Sequence, residues 1–262
     1  MNATLAAPET APPAVAPWWI EEEAFPADED DESKLAWLLH RTILAPAELP
    51  PQAWTFRLEN DTLELYADRS SGLPGGEPDG RVQALEGGAA LFHLWLALRH
   101  HGYAGDVELL PEIGRPDLLA RVQLGEMRPA LAEEELLFAQ IRRHPARRGA
   151  SPGTFSPRLI ADLQAAAAEE GAWLQVLDDP EIRRVCAMKS PAALLAVLGT
   201  EEDDVLAWLE AGEALARVQL RARREGVEVS PVRPAADGPE RRLALRRALG
   251  RSGHPQRILR LR

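Results

Sequence analysis

Twice along this chain a helix-period segment gives way to short strands and a second helix, a rhythm that confines the fold to layered α/β architectures. The first pass opens at Ser33, placed to cap a helix with Leu35, Leu38, Leu39 and Ile43 on one face and Pro46 ending it. Trp54, Phe56 and Leu58 then alternate with polar residues, as do Leu63 and Leu65, and Asn60-Asp61 supplies the turn of a β-hairpin. A loop rich in Pro and Gly, from Pro74 to Gly80, leads to a helix whose Leu91, Leu94, Trp95 and Leu98 form one buried face, with Gly102 placed to stop it. Strands near Val107–Leu110 and Leu119–Leu124 close the first half.

The second pass starts with a helix over Ala132–Ile141. Ser156-Pro157 is a cap followed by a first-turn proline, and Gly171 ends the helix they open. Trp173–Leu177 reads as a strand, and Thr200 with Asp203 as a capping box for a long helix through Arg224 that stops at Gly226. A strand near Val227–Val229, a helix over Glu240–Leu249 and a strand over Arg257–Leu261 follow. The expected division is a disordered acidic leader over 1–32, a first half over 33–131 and a second over 132–262. The shared rhythm makes a duplicated architecture possible, although no clear sequence repeat accompanies it.

Composition removes several classes of function. No apolar run approaches the roughly 20 residues that cross a bilayer, and no basic segment followed by an apolar one marks secretion. A single cysteine, Cys186, excludes an internal disulfide framework or a multi-cysteine metal site, so a cytoplasmic, reducing home is expected. The net charge of −11 is uneven: no Lys or Arg precedes Lys34, whereas arginine exceeds acid after Arg217. Those arginines carry no DNA-binding motif and no interleaved aromatics, so neither nucleic acid nor membrane is expected as a partner. Within the leader, Trp18, Trp19, Ile20 and Phe25 form an aromatic patch suited to docking, most simply on the protein itself. His100-His101 sits at a helix end, where the dipole favours it, and no other metal ligand is positioned to join it.

The most site-like segment is Arg142-Arg143-His144-Pro145-Ala146-Arg147-Arg148. Four guanidinium groups within seven residues, broken from the preceding helix by proline, offer forks of donors suited to a phosphate. A solvated basic loop, or a dock for the protein's own acids, is the competing reading. There is no P-loop, no Gly-x-Gly-x-x-Gly after a strand, no His-Glu-x-x-His and no Gly-x-Ser-x-Gly.

Several stretches, in order, resemble the nitroreductase-like flavoproteins, and within them the duplicated Acg-type branch. Leu38-Leu39-His40-Arg41-Thr42-Ile43-Leu44-Ala45-Pro46 resembles the family's first helix entering its Ala-Pro-Ser-x-x-Asn-Thr-Gln-Pro-Trp motif. Leu63-Glu64-Leu65-Tyr66-Ala67-Asp68-Arg69-Ser70 is similar to the branch's "LELYADRSR", and Gly87-Gly88-Ala89-Ala90-Leu91-Phe92 to the start of its "CGAALFNLRLALR". Ile141–Arg148 falls where the branch carries "RRHTNRR", and Gly253-His254-Pro255-Gln256 continues the series. The resemblance implies an α+β sandwich with a mostly antiparallel sheet flanked by helices, in two pseudo-repeated halves, as a pseudo-dimeric monomer or a homodimer. It implies bound FMN, NAD(P)H as electron donor and a small-molecule acceptor, a nitro compound or a quinone. On the same basis Arg143 and Arg147, with Arg142 beside them, would hold the flavin phosphate, and Gln52 and Trp54 would border the ring.

Departures from the motifs give the rival reading its content. The motif's Ser is Ala47, its Asn-Thr pair is Pro50-Pro51, and Thr-Asn of the second site is Pro145-Ala146. Asp178–Gly199 is short where the branch carries a longer segment. The rival is a degenerate, non-catalytic flavin-binding or interaction protein on the same fold.

Overall fold

The computed structural model describes residues 25–42, 53–69, 80–141, 155–179, 194–232 and 239–262. The first half runs α1 (Asp31–Thr42), β1 (Trp54–Glu59), β2 (Thr62–Ala67), α2 (Arg81–His100), β3 (Asp106–Leu109) and β4 (Leu118–Gln123). After α3 (Ala132–Ile141) come α4 (Pro157–Ala168), β5 (Trp173–Val176), β6 (Leu194–Thr200), α5 (Val205–Arg224), β7 (Val229–Pro231), α6 (Pro239–Leu249) and β8 (His254–Leu261). The strands form two four-stranded sheets, ordered β1-β2-β4-β3 and β5-β6-β8-β7, antiparallel throughout. In each, the central pair carries a register shift, at Leu65/Tyr66 and at Leu198/Gly199. Among the described residues no helix is long and apolar enough to cross a membrane.

The hairpin forms as its alternation dictates, with Asn60 (φ 47) and Asp61 (φ 58) turning the chain through the left-handed region that suits a two-residue turn. Other boundaries moved. The folded part begins before Ser33, because the Asp30 side chain caps α1 by accepting from the Ser33 amide at 2.8 Å. Phe25, which the sequence assigns to the leader, stacks on His101 at 4.0 Å and meets Trp37 edge-on at 5.2 Å. The cap of α5 is Asp204, whose side chain accepts from the Ala207 amide, and not Thr200. Thr200 ends β6 and donates to the Glu202 carbonyl.

β6 forms at the end of the short Asp178–Gly199 stretch, where periodicity predicts no strand. Its Leu-Leu-Ala-Val-Leu-Gly-Thr is buried on both faces, so the alternation that betrays a half-exposed strand is absent. α4 and α5 cover one face of its sheet, with Leu163, Leu174, Leu198, Leu215 and Leu259 packed between. α6 covers the other through Leu245, against Trp173, Val197 and Ile258. The first sheet differs. Leu63 and Leu65 face the core under α1 and α2, while the outer face carries a polar lattice in which Glu64 meets Tyr66, Arg115 and Arg121.

α2 is buried along nearly its whole length, not on the single face that its leucine spacing suggests. It lies between α1, α3, the first sheet and α5, so no face is left for solvent. α2 and α5 approach through glycines. A Cβ on Gly88 would lie 2.1 Å from the Leu209 carbonyl oxygen, and one on Gly212 2.0 Å from that of Leu85. Only hydrogen at both positions permits this backbone contact, and it joins the two halves.

Candidate functional site

Arg142, Arg143, Arg147 and Gln52 lie outside the described residues, as does Cys186. The structure does place both anchors of the arginine segment. Ile141 closes α3 against the first core, and Phe155 packs on the second. α3 ends beside the last turn of α5, where Arg223 donates to the Gln140 carbonyl at 3.4 Å. Phe155 leads into α4, whose cap Ser156 accepts from the Leu159 amide as its sequence predicts.

Between the start of α4 and the end of α5 lies a concavity of about 410 Å³, lined by Ser156, Arg158, Leu159, Asp162, Arg221, Arg224 and Glu225. Arg221 is tied to Glu133 at 2.7 Å and Glu169 at 3.4 Å, whereas Arg158 and Arg224 are exposed. Burial holds the Arg223 guanidinium below its ordinary pKa, partly countered by Glu228. Three arginines share this hollow with the carboxylates of Asp162 and Glu225. The exposed guanidiniums of Arg158 and Arg224 are donors of the kind that suit an oxyanion.

Trp54 is the described member of the predicted ring-facing pair. It opens β1 opposite Ala67, is 3% exposed in the first core, and meets Phe56 edge-on at 5.5 Å.

Two further junctions between the halves were not legible in the sequence. On one side a cleft of about 390 Å³ is walled by Phe92, Trp95, Val107 and Leu109 from the first half and Glu169, Glu170, Glu213 and Arg217 from the second. Arg217 binds Glu169 at 2.7 Å and lies over the Phe92 ring at 5.0 Å. Burial, reinforced by Glu170 and Glu210, pushes the Glu213 carboxyl up to about 8 against the pull of Arg217. At neutral pH it is a neutral acid, able to donate a proton or hydrogen bond into the cleft.

On the other side, buried Arg81 donates to the Gln256 carbonyl at 2.8 Å. The Gln256 amide donates to Thr200 Oγ1 at 3.0 Å and to Asp203 at 3.1 Å, and the Trp208 indole donates to Asp203 at 2.7 Å. Gly253-His254-Pro255-Gln256, singled out by resemblance, therefore ties β8 to the start of both long helices. Burial raises the Asp203 pKa, but hydrogen bonds from Trp208 and Gln256 and the charges of Arg242 and His254 outweigh it and hold the carboxyl below its usual 3.8. A depressed folded pKa contributes stability that is present above the unfolded value and lost as pH falls through the folded one. Asp203→Asn is expected to lower the melting temperature at pH 7 by several degrees and to leave it little changed near pH 2. An equal loss at both pH values would remove the charge from the account.

His100, the last residue of α2, binds Glu135 at 2.8 Å and stacks on Phe138 at 3.9 Å. His101 stacks on Phe25. Both are engaged in packing α3 and the entering chain onto the end of α2, and among the described residues no group of three or more His, Cys, Asp or Glu could hold a metal.

Comparison with known proteins finds two relatives of one kind. No family model matches it. It is similar to two proteins of Mycobacterium tuberculosis, one from strain CDC 1551 / Oshkosh and one from strain H37Rv, each named "Putative NAD(P)H nitroreductase". Each is 27% identical to it over 294 aligned positions that span 88% of this chain and 85% of the relative. The similarity supports kinship with nitroreductase-like oxidoreductases.

Proposed function

We propose that the chain is an FMN-dependent, NAD(P)H-using oxidoreductase of the nitroreductase type that reduces nitro compounds or quinones. The observation that carries this reading is the similarity to both nitroreductase-named relatives along 88% of the chain. Two structural features support it. First, the halves are read as repeats of one unit, in keeping with the duplicated Acg-type branch: a shift of 124 residues carries Arg81–His100 onto Val205–Arg224, Leu85 onto Leu209, Gly88 onto Gly212 and Gly102 onto Gly226. The two sheets have matching strand orders under the same reading. A chain so built would serve as a pseudo-dimeric monomer, or as one protomer of a homodimer, in the cytoplasm.

Second, the donor set suits a flavin phosphate. Arg143 and Arg147, with Arg142, are proposed to hold the phosphate, since guanidinium forks suit an oxyanion and the described chain on either side of them ends near Arg158 and Arg224. Gln52 precedes the buried Trp54 and would meet the ring from the first half. Bound flavin supplies the hydride and electron chemistry. The chain's own task is to fix the phosphate, shield the ring between two packed halves and supply protons, for which neutral Glu213 is suited.

Arg143→Ala with Arg147→Ala is expected to lower FMN affinity at least tenfold, with far-UV circular dichroism unchanged and riboflavin binding little altered. Purified wild-type chain should be yellow and should oxidise NAD(P)H with a nitroaromatic or quinone. Colourless protein that takes up no added FMN overturns the reading. Retained FMN without turnover selects the degenerate flavin-binding alternative, which the prolines at Pro50, Pro51 and Pro145 favour because each removes a backbone donor.

A further inference from the structure

We propose that the cleft between the two halves, with Phe92 and Trp95 on one side and Glu169, Glu170 and Glu213 on the other, binds an organic cation: an ammonium group carried on an apolar or aryl body. Its volume of about 390 Å³ falls within the roughly 300–1,000 Å³ of small-molecule sites. The first half contributes apolar surface. Phe92 and Trp95 lie one turn apart on α2, with 5.8 Å between ring centroids, and Val107 and Leu109 of β3 extend the wall. The second half contributes charge. Glu169 and Glu170 follow the last turn of α4, and Glu213 and Arg217 lie one turn apart on α5. A ligand that fits this cleft has one apolar face and one charged end.

The sign of that charge follows from how the carboxylates are paired. Arg217 binds Glu169 at 2.7 Å and also holds Glu170, and Arg221 reaches Glu169 at 3.4 Å. Glu213 is different. It lines the same cleft, partly buried, and among the described residues its carboxyl makes no hydrogen bond or ion pair. Burial first, then Glu170 on α4 and Glu210 on α5, push its pKa up to about 8 against the pull of Arg217. The residues that α2 and β3 bring to the cleft are uncharged. A cation beside Glu213 would therefore supply the missing counter-charge and release the carboxyl proton to solvent. The cleft already contains this arrangement once, where the Arg217 guanidinium lies 5.0 Å over the Phe92 ring while its nitrogens hold two carboxylates. The cation is organic and not a metal ion, because among the described residues no three His, Cys, Asp or Glu are grouped to ligate one. An ammonium needs only one carboxylate and a wall for its body. The site does not rest on the flavin reading.

The test titrates the full chain with 2-phenylethylammonium by calorimetry at pH 6 and pH 8.5, with 2-phenylethanol and 3-phenylpropanoate as neutral and anionic probes of similar shape. At pH 8.5 the ammonium is expected to bind at least about tenfold more tightly than either control. Its affinity should rise at least about tenfold from pH 6 to pH 8.5, because binding at the lower pH must first expel the Glu213 proton. At pH 7, titrations in buffers of different ionisation enthalpy should show about one proton released per ammonium bound. Glu213→Gln should bind the ammonium at pH 8.5 no better than wild type does at pH 6, without proton release and with far-UV circular dichroism unchanged. Three results each overturn the proposal: no ammonium binding to wild type at pH 8.5, equal binding of 2-phenylethanol, or equal ammonium binding by wild type and Glu213→Gln at that pH. FMN uptake is measured in parallel and is expected to be the same in both proteins. Protein that binds the ammonium but takes up no FMN supports this site and sinks the flavin reading alone.

Discussion

Gly88→Ala and Gly212→Ala are each expected to lower the melting temperature by roughly 4–8 °C. The added Cβ would sit 2.1 Å from the Leu209 carbonyl oxygen in one case and 2.0 Å from the Leu85 carbonyl oxygen in the other. Neither obstacle is the movable end of a side chain. Both are helix backbone, so α2 and α5 must separate by about 1 Å and loosen the leucines packed around them. Overpacking of this kind costs about 1–3 kcal/mol and occasionally more, against roughly 1 kcal/mol gained in helix propensity. Because the contact joins both cores, a net loss near the upper end, about 2 kcal/mol, is expected, with about 2–4 °C of melting temperature per kcal/mol in a chain of this size. Gly114→Ala is the control, since its Cβ would meet nothing within 4 Å. If all three variants melt together, the close approach of α2 and α5 is wrong.

Glu213→Gln should act in the opposite direction, stabilising the protein at alkaline pH. Its carboxyl is pushed up to about 8 by burial and by Glu170 and Glu210, from an unfolded value near 4.5. The folded state therefore holds this proton more tightly than the unfolded state does. Stability from this group is greatest below the unfolded pKa, declines as pH rises, and is fully lost above the folded pKa. Glutamine has no proton to lose. The variant is expected to match wild type near pH 4.5 and to exceed it above pH 8 by on the order of 3 kcal/mol, less whatever Arg217 and entering water recover. Chemical denaturation at pH 5, 7 and 8.5 reads the difference directly. A gain that does not grow with pH would show that Glu213 is already ionised in the folded protein. The window lies well above the acidic range in which Asp203 acts, so the two groups are separable in one titration.

The sequence marked out local structure wherever one face of an element meets solvent. The β1–β2 hairpin with its Asn60-Asp61 turn, α3, the Ser156-Pro157 start of α4 and the Gly226 stop of α5 all fall where periodicity and capping chemistry put them. It was misleading where that contrast vanishes. β6 is apolar on both faces and gives no alternation, and α2 is enclosed on all sides although its spacing suggested one stripe. Caps shifted by three and four residues, from Ser33 to Asp30 and from Thr200 to Asp204, because neighbouring Asp, Ser and Thr residues compete for the same amides.

Of the candidate site, residue chemistry alone gave the arginine cluster, and resemblance gave the pair of arginines within it and Gln52 with Trp54. The neutral acid at Glu213 and the Asp203–Gln256–Arg81 network were invisible, since each joins residues far apart in the chain. A glutamate in a helix reads as a solvated charge until a second helix and a turn bury it beside other carboxylates. By itself, then, the sequence determined the helix–hairpin rhythm of each half and the concentration of arginines between α3 and α4, because both depend on neighbours along the chain. Only the tertiary structure decided which glycines bring the halves together and which buried groups are left charged, neutral or unpaired. Burial and pairing are set by what arrives from the other half, and no local pattern records that.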